Sequence, residues 1–173
     1  MHLLRNTFCE DRMDIERPIL LIGIGNEYRS DDGLGILAAR EILRRHLPGI
    51  RVVEQSGEGT RLMETWEGYH EVLIVDAICS GKAHGDVHRI DAACMTVPKG
   101  FFHYSSHSFG VAEAIEMARE LGRLPGVLML HGIEGAQFEP GIGLTDPVVR
   151  SMPELLAAIE TDILHLREHH HVA

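Results

Sequence analysis

The sequence predicts a three-layer α/β/α domain built on a mostly parallel five-stranded sheet. Two patterns carry that expectation. Short apolar runs of strand length recur along the chain, and stretches with helical periodicity separate them. Strands that alternate with helices pair in parallel, because each crossover helix returns the chain to the same end of the sheet and covers one face. No repeat, linker or shift in composition divides the chain. Residues 18–168 therefore read as a single domain, preceded by an extension at 1–17 and followed by a His-rich tail at 169–173.

Each element has its own signal. Pro18 to Gly25 (PILLIGIG) is a continuous apolar run, the pattern of a strand buried on both faces. Asn26 to Gly33 (NEYRSDDG) is a polar loop. Residues 34–47 are helical, with Leu34, Leu37 and Ala38 on one side and Ile36, Leu43 and Leu47 widening the apolar face, and Pro48-Gly49 stops the helix. Arg51 to Gln55 is a short strand, and Thr60 to Trp66 a second helix. Glu71 to Ile78 (EVLIVDAI) is another buried strand, whereas Gly85 to Asp91 alternates enough to lie at a sheet edge. An irregular stretch follows through Pro98 to Tyr104. Residues 107–121 form a helix on Val111, Ile115, Ala118 and Leu121, and Gly126 to Ile133 is the fifth strand. Met152, Leu155, Leu156, Ile159, Ile163 and Leu166 follow the i, i+3, i+4 rule and mark the last helix.

A chain of 173 residues with 45% hydrophobic and 24% charged residues can bury a full core. A formal net charge of −10 opposes sequence-independent binding to nucleic acid, which needs Lys and Arg to displace counterions, and opposes an anionic membrane surface. No apolar run approaches the roughly 18 residues of a membrane span. Charges interrupt every apolar stretch of residues 1–17, so no signal-peptide core is expected, and Met13 is an alternative start. Cys9, Cys79 and Cys94 are odd in number and lack CxxC spacing, which points away from a disulfide framework or zinc site and toward a cytoplasmic protein.

In open α/β sheets the chemistry gathers beyond the carboxyl ends of the strands. Asp31 and Asp32 fall on the loop after the first strand, Asp76 at the end of the third, and His107 at the start of a helix after Ser105-Ser106. Carboxylates and an imidazole so placed suit a nickel or zinc ion, and a helix N-terminus keeps a histidine neutral and able to coordinate. Structural alternatives stand beside each reading. Asp31 or Asp32 can cap the helix at 34–47, Asp76 can accept hydrogen bonds in a turn, and a lone His107 can be structural.

Other features carry less. Gly23-Ile24-Gly25, with Glu54 at the end of the second strand, hints at a dinucleotide site and hence a nucleotide-binding oxidoreductase. Tyr28, however, stands where the third glycine belongs, and the acidic loop would repel a pyrophosphate. The pairs His103/His107 and His84/His88 have i, i+4 spacing without the glutamate of a zincin. Ser105, Ser106 and Ser108 lack a GxSxG elbow, and His169, His170 and His171 read as a solvated tail.

In order and spacing, GIGNEYRSDDGLG (23–35), SGEGTRLME (56–64), EVLIVDAICSG (71–81), SSHSFGVAEAI (105–115) and EPGIGLTDPV (139–148) resemble the hydrogenase maturation protease family. The resemblance spans about residues 18–165 and implies an α/β/α fold on a twisted five-stranded sheet. It implies an endopeptidase that removes a short C-terminal extension from the large-subunit precursor of a nickel–iron hydrogenase after nickel insertion, the nickel being supplied by that precursor. Asp32, Asp76 and His107 match the family's metal-contacting positions and are the expected metal-binding and catalytic residues. Relatives often carry Glu where Asp32 stands, and Asp31 is the alternative first-loop ligand. The segment Gln55-Ser56-Gly57-Glu58-Gly59-Thr60 departs from a family pattern that begins with an acid; Gly57, Gly59 and Thr60 are expected to shape the cleft. Nickel polarising the carbonyl, nickel activating a water, and a carboxylate acting as general base all remain open. A non-catalytic metal-binding or docking module in nickel-centre assembly is the alternative function.

Overall fold

The structure is a computed structural model that describes residues 18–98, 100–102 and 109–170. The extension at 1–17, His103, the segment 105–108 with His107, and His171 lie outside the described residues. Strands β1 (Ile19–Ile24), β2 (Ile50–Gln55), β3 (Glu71–Ile78), β4 (Val87–Asp91) and β5 (Val127–Glu134) form one sheet in the order β2-β1-β3-β5-β4. The pairs β1/β2, β1/β3 and β3/β5 are parallel, and β4 closes one edge antiparallel to β5. This is the mostly parallel α/β sheet that the alternating pattern predicts.

Burial on both faces explains why β1 and β3 read as unbroken apolar runs, since every residue of each is buried. Successive side chains point to opposite faces. Leu20, Ile22, Ile74 and Leu130 therefore pack with α2 (Gly59–Trp66) and α3 (Val111–Glu120) through Leu62, Trp66 and Ile115. Leu21, Leu73 and Met129 pack on the other face with Leu34, Ala38 and Ile42 of α1 (Leu34–Arg44) and Leu155, Ile159 and Ile163 of α4 (Asp146–His170). A buried pair ties that second layer together. His131 Nε2 of β5 lies 2.8 Å from Asp162 Oδ2 of α4, and Arg89 of β4 reaches the same carboxylate at 2.7 Å.

Three helix boundaries differ from expectation. Helix α1 ends at Arg44, before Leu47, because Arg45 and His46 close a tighter turn onto the carbonyls of Ile42 and Leu43 and His46 takes a φ of 50°. Helix α3 begins at Val111 and not at residue 107. Gly110 is extended, and Glu113 Oε2 accepts the Gly110 N–H at 3.2 Å, fixing the N-terminus there. Helix α4 begins at Asp146, well before Met152, with Pro147 in its first turn and Pro153 inside it. A first-turn proline costs the helix no hydrogen bond, whereas an internal one reads in sequence as a breaker. The same helix continues through His170, two residues into the stretch expected to be a tail.

Candidate active site

The carboxyl ends of β1 and β3 carry the first-loop acids and Asp76. Gly35, in the first turn of α1, lets that helix press directly on both strands, since a Cβ there would lie 2.2 Å from the carbonyl oxygens of Ile24 and Val75. Gly25, at φ +138°, folds the loop back so closely that a Cβ would lie 1.7 Å from the Asp32 carbonyl oxygen. These two close approaches place the 3-10 turn at Ser30–Gly33 against β3. Gly23, where a Cβ would lie 2.4 Å from the Gly35 carbonyl oxygen, and Gly25, the glycines that hinted at a dinucleotide site, thus serve backbone packing. Glu54, the would-be ribose acid, is held by Arg40 at 2.9 and 2.8 Å.

Adjacent in sequence, Asp31 and Asp32 have different surroundings. Asp31 is fully buried and accepts four hydrogen bonds from the late loop: Ala136 N at 2.8 Å, Gln137 N at 3.0 Å, Thr145 N at 2.7 Å and Thr145 Oγ1 at 2.8 Å. Its lone pairs are committed to holding that loop. Neither acid caps α1, whose N-cap is Gly33 with no side-chain cap. Asp32, 3% exposed, lies close enough to Asp76 for its negative charge to act on it.

Asp76 shares a face of β3 with Ile74 and Ile78 and is 5% exposed. Burial raises its pKa well above the usual carboxylate value, and the Asp32 charge raises it further; the hydrogen bond that Oδ1 accepts from Ala77 N–H at 2.7 Å opposes both. Two like-charged carboxylates brought together out of water either share a proton or accept a cation. The pair is chemically fit for both. The expected third member, His107, lies outside the described residues, four positions before the first residue of α3. Among the described residues, no group of three or more His, Cys, Asp or Glu side chains is arranged to hold a metal ion.

The loops around the pair have structural explanations. Glu58 caps α2 through both carboxylate oxygens, accepting from Thr60 N at 3.0 Å and Arg61 N at 2.9 Å. Gly59 N–H donates to the Phe109 carbonyl, so the SGEG segment is pinned to the chain just before α3. Gln55 donates through its amide to Thr65 Oγ1. Glu134, at the end of β5, was not singled out in the sequence. It accepts from Ser80 Oγ at 2.8 Å and Gly81 N at 2.7 Å, tethering the loop after β3, and His88 Nε2 lies 3.4 Å away. Burial lowers the His88 pKa. The i, i+4 spacing of His84 and His88 makes no shared helix face, because His88 is in strand β4. A separate groove of about 660 Å³ between α2 and α3, lined by Trp66, Tyr69, His70 and Met117, holds neither Asp32 nor Asp76.

The family described as HycI: Hydrogenase maturation protease matches residues 37–162. The chain is 31% identical over 154 residues to the hydrogenase 2 maturation protease of Escherichia coli (strain K12), covering 87% of this chain and 91% of that one. It is 30% identical over 137 residues to the hydrogenase expression/formation protein HupD of Bradyrhizobium diazoefficiens, covering 78% of this chain and 71% of that one. The hydrogenase maturating endopeptidase HybD from E. coli has the same fold, with a TM-score of 0.72 at 22% identity over 86% of this chain and 93% of that one. The chain belongs to the hydrogenase maturation protease family and is an endopeptidase of that class. No described helix is long and apolar enough to cross a membrane.

Proposed function

We propose that this endopeptidase removes the C-terminal extension of a nickel–iron hydrogenase large-subunit precursor, and that it recognises nickel already seated in that precursor. The observation that supports the reading best is the buried Asp32–Asp76 pair, where burial and mutual repulsion disfavour two negative charges. A divalent cation arriving with the substrate relieves that repulsion and displaces the proton that otherwise does so. Nickel is here part of the substrate. Asp32 and Asp76 would supply oxygen ligands and His107 a nitrogen ligand, a donor set suited to nickel. An apo precursor lacks the ion that joins the two proteins, so cleavage reports completed metal insertion.

For peptide hydrolysis the same carboxylates are the available acid–base groups. Asp76, whose pKa burial and the Asp32 charge raise, is suited to hold or pass a proton during the reaction. The test is mass spectrometry of nickel-loaded and apo precursor after incubation with the protein truncated before His169. The extension should be lost from the nickel-loaded form alone. Asp76→Ala and His107→Ala should each abolish the reaction, and near-wild-type cleavage by either purified variant would sink the assignment.

A further inference from the structure

Two loops meet at the rim of the site, and each carries an exposed large apolar side chain. Ile142 is 87% exposed and Tyr28 66%, the two highest values among the exposed large hydrophobic residues described. Their backbones are joined, since Gly141 N–H donates to the Tyr28 carbonyl at 2.9 Å and Ser30 N–H donates to the Gly141 carbonyl at 2.9 Å. A single exposed hydrophobic side chain is ordinary. Two on neighbouring loops that cannot turn inward are not.

The loops are held by buried polar chemistry. Arg29 Nε and Nη2 donate to the Phe138 carbonyl at 3.2 and 3.1 Å, and Ser30 Oγ donates to the Gly143 carbonyl at 3.2 Å. Asp31 gathers Ala136, Gln137 and Thr145 from the same late loop. Neither Tyr28 nor Ile142 can reach the protein's own core without breaking this network. Apolar side chains fixed in water before binding lose little conformational freedom when covered, which is the property of interface anchors.

We propose that Tyr28 and Ile142 form a preformed docking patch for the folded body of the hydrogenase large-subunit precursor. The inference rests on the substrate reading given under Proposed function. Continuity with the site argues for this occupant. Asp32 follows Tyr28 by four positions, and Gly141 is hydrogen-bonded to Tyr28 and Ser30, so a partner that delivers a scissile segment to Asp32 and Asp76 comes close to both loops. Shape argues for a folded partner. An exposure of 87% marks a side chain that protrudes, and a protruding anchor fills a recess on a folded surface, whereas an extended tail needs a groove to lie in. Charge adds the rim. Glu139 is exposed beside the patch and the chain carries a net charge of −10, so the complementary recess is bordered by Lys or Arg.

The test compares the wild type with the double variant Tyr28→Ser/Ile142→Ser and with Leu164→Ser, a substitution of another exposed apolar residue on α4. Three quantities are read: KM and kcat on nickel-loaded precursor, Kd for apo precursor, and the oligomeric state by sedimentation, with thermal melting as the fold control. For the double variant KM and Kd should each rise at least about tenfold, kcat should stay within about twofold, and Leu164→Ser should match the wild type. Wild-type KM and Kd in the double variant would overturn the patch, as would a lowered kcat at unchanged KM. A wild-type dimer that the double variant dissociates, with Kd for precursor unchanged, would assign the surface to a second copy of this chain instead. If the wild type binds precursor without cleaving it, the protease reading fails while the Kd comparison still decides the patch. If it neither binds nor cleaves, both fall.

Discussion

Replacing Asp31 by Asn changes one oxygen into an amide nitrogen at the centre of the late loop. Three donors converge on Oδ2, from Ala136 N, Gln137 N and Thr145 Oγ1, and Thr145 N donates to Oδ1. The asparagine carbonyl can take the three-donor position. Its NH2 then faces the Thr145 N–H, donor against donor, and the three surviving bonds lose their charge assistance. A hydrogen bond to a charged group contributes about 1.5–3 kcal/mol, and a buried donor left unpaired costs a comparable amount, so the net loss is about 3–5 kcal/mol. In a domain of this size each kcal/mol moves Tm by about 2–4 °C, so Asp31→Asn should melt on the order of 10 °C below the wild type. The neighbouring Asp32→Asn leaves the late-loop network intact and removes a like charge from beside Asp76, so it should melt closer to the wild type than Asp31→Asn does. Calorimetry or far-ultraviolet circular dichroism on the two purified variants decides it. An Asp31→Asn protein that melts within about 2 °C of the wild type would refute the assignment of Asp31 to the fold and reopen it as a first-loop ligand.

Three further outcomes follow from the same structure. Asp76→Asn should abolish processing yet raise Tm at neutral pH. A pKa raised in the folded state contributes stability fully below the unfolded value and loses it as pH rises through the folded one, so the gain of the variant over wild type should grow with pH; a gain that is constant with pH would argue against it. Gly35→Ala should destabilise by about 3 kcal/mol, because the new methyl meets two backbone carbonyls that cannot move apart, and a denaturant midpoint equal to wild type would show that α1 is not pressed on the strands as described. Burial alone would raise the Asp162 pKa, but hydrogen bonds and charges from His131 and Arg89 hold it down to about 2. A depressed carboxylate contributes stability above its unfolded pKa that is lost as pH falls through the folded one. Stability should therefore drop by about 1–2 kcal/mol between roughly pH 4 and pH 2, Arg89 being half-exposed and screened, and Asp162→Asn should flatten that part of the acid-unfolding curve.

The sheet was legible in the sequence because its central strands are buried on both faces, which writes PILLIGIG and EVLIVDAI as uninterrupted apolar runs, and because the edge strand β4 alternates. Helix ends were less so. The start of α3 depends on Glu113 reaching back to Gly110, and α4 tolerates Pro153, neither of which periodicity registers. The first-loop acids show the limit most clearly. Side by side in sequence they are chemically equivalent, and only donors from Ala136, Gln137 and Thr145 separate the structural Asp31 from the Asp32 that faces Asp76. Glu134 went unnoticed for a similar reason, since its partners Ser80 and Gly81 come from a loop far along the chain. Tyr28 and Ile142 did leave a trace: a lone aromatic in a polar loop, and a lone branched apolar residue between two glycines.

The partners of Asp31 also set an order of events. They lie 105, 106 and 114 residues further along the chain. During synthesis the first loop leaves the ribosome long before those partners exist, at about 5–20 residues per second, and it has nothing to fold against until the residues around Thr145 emerge. The loop that carries Asp32 is thus among the last parts of the domain to take its shape. A partly made or truncated chain that lacks the residues around Thr145 lacks the donors that hold the first loop, so no working protease is expected before that late segment is made.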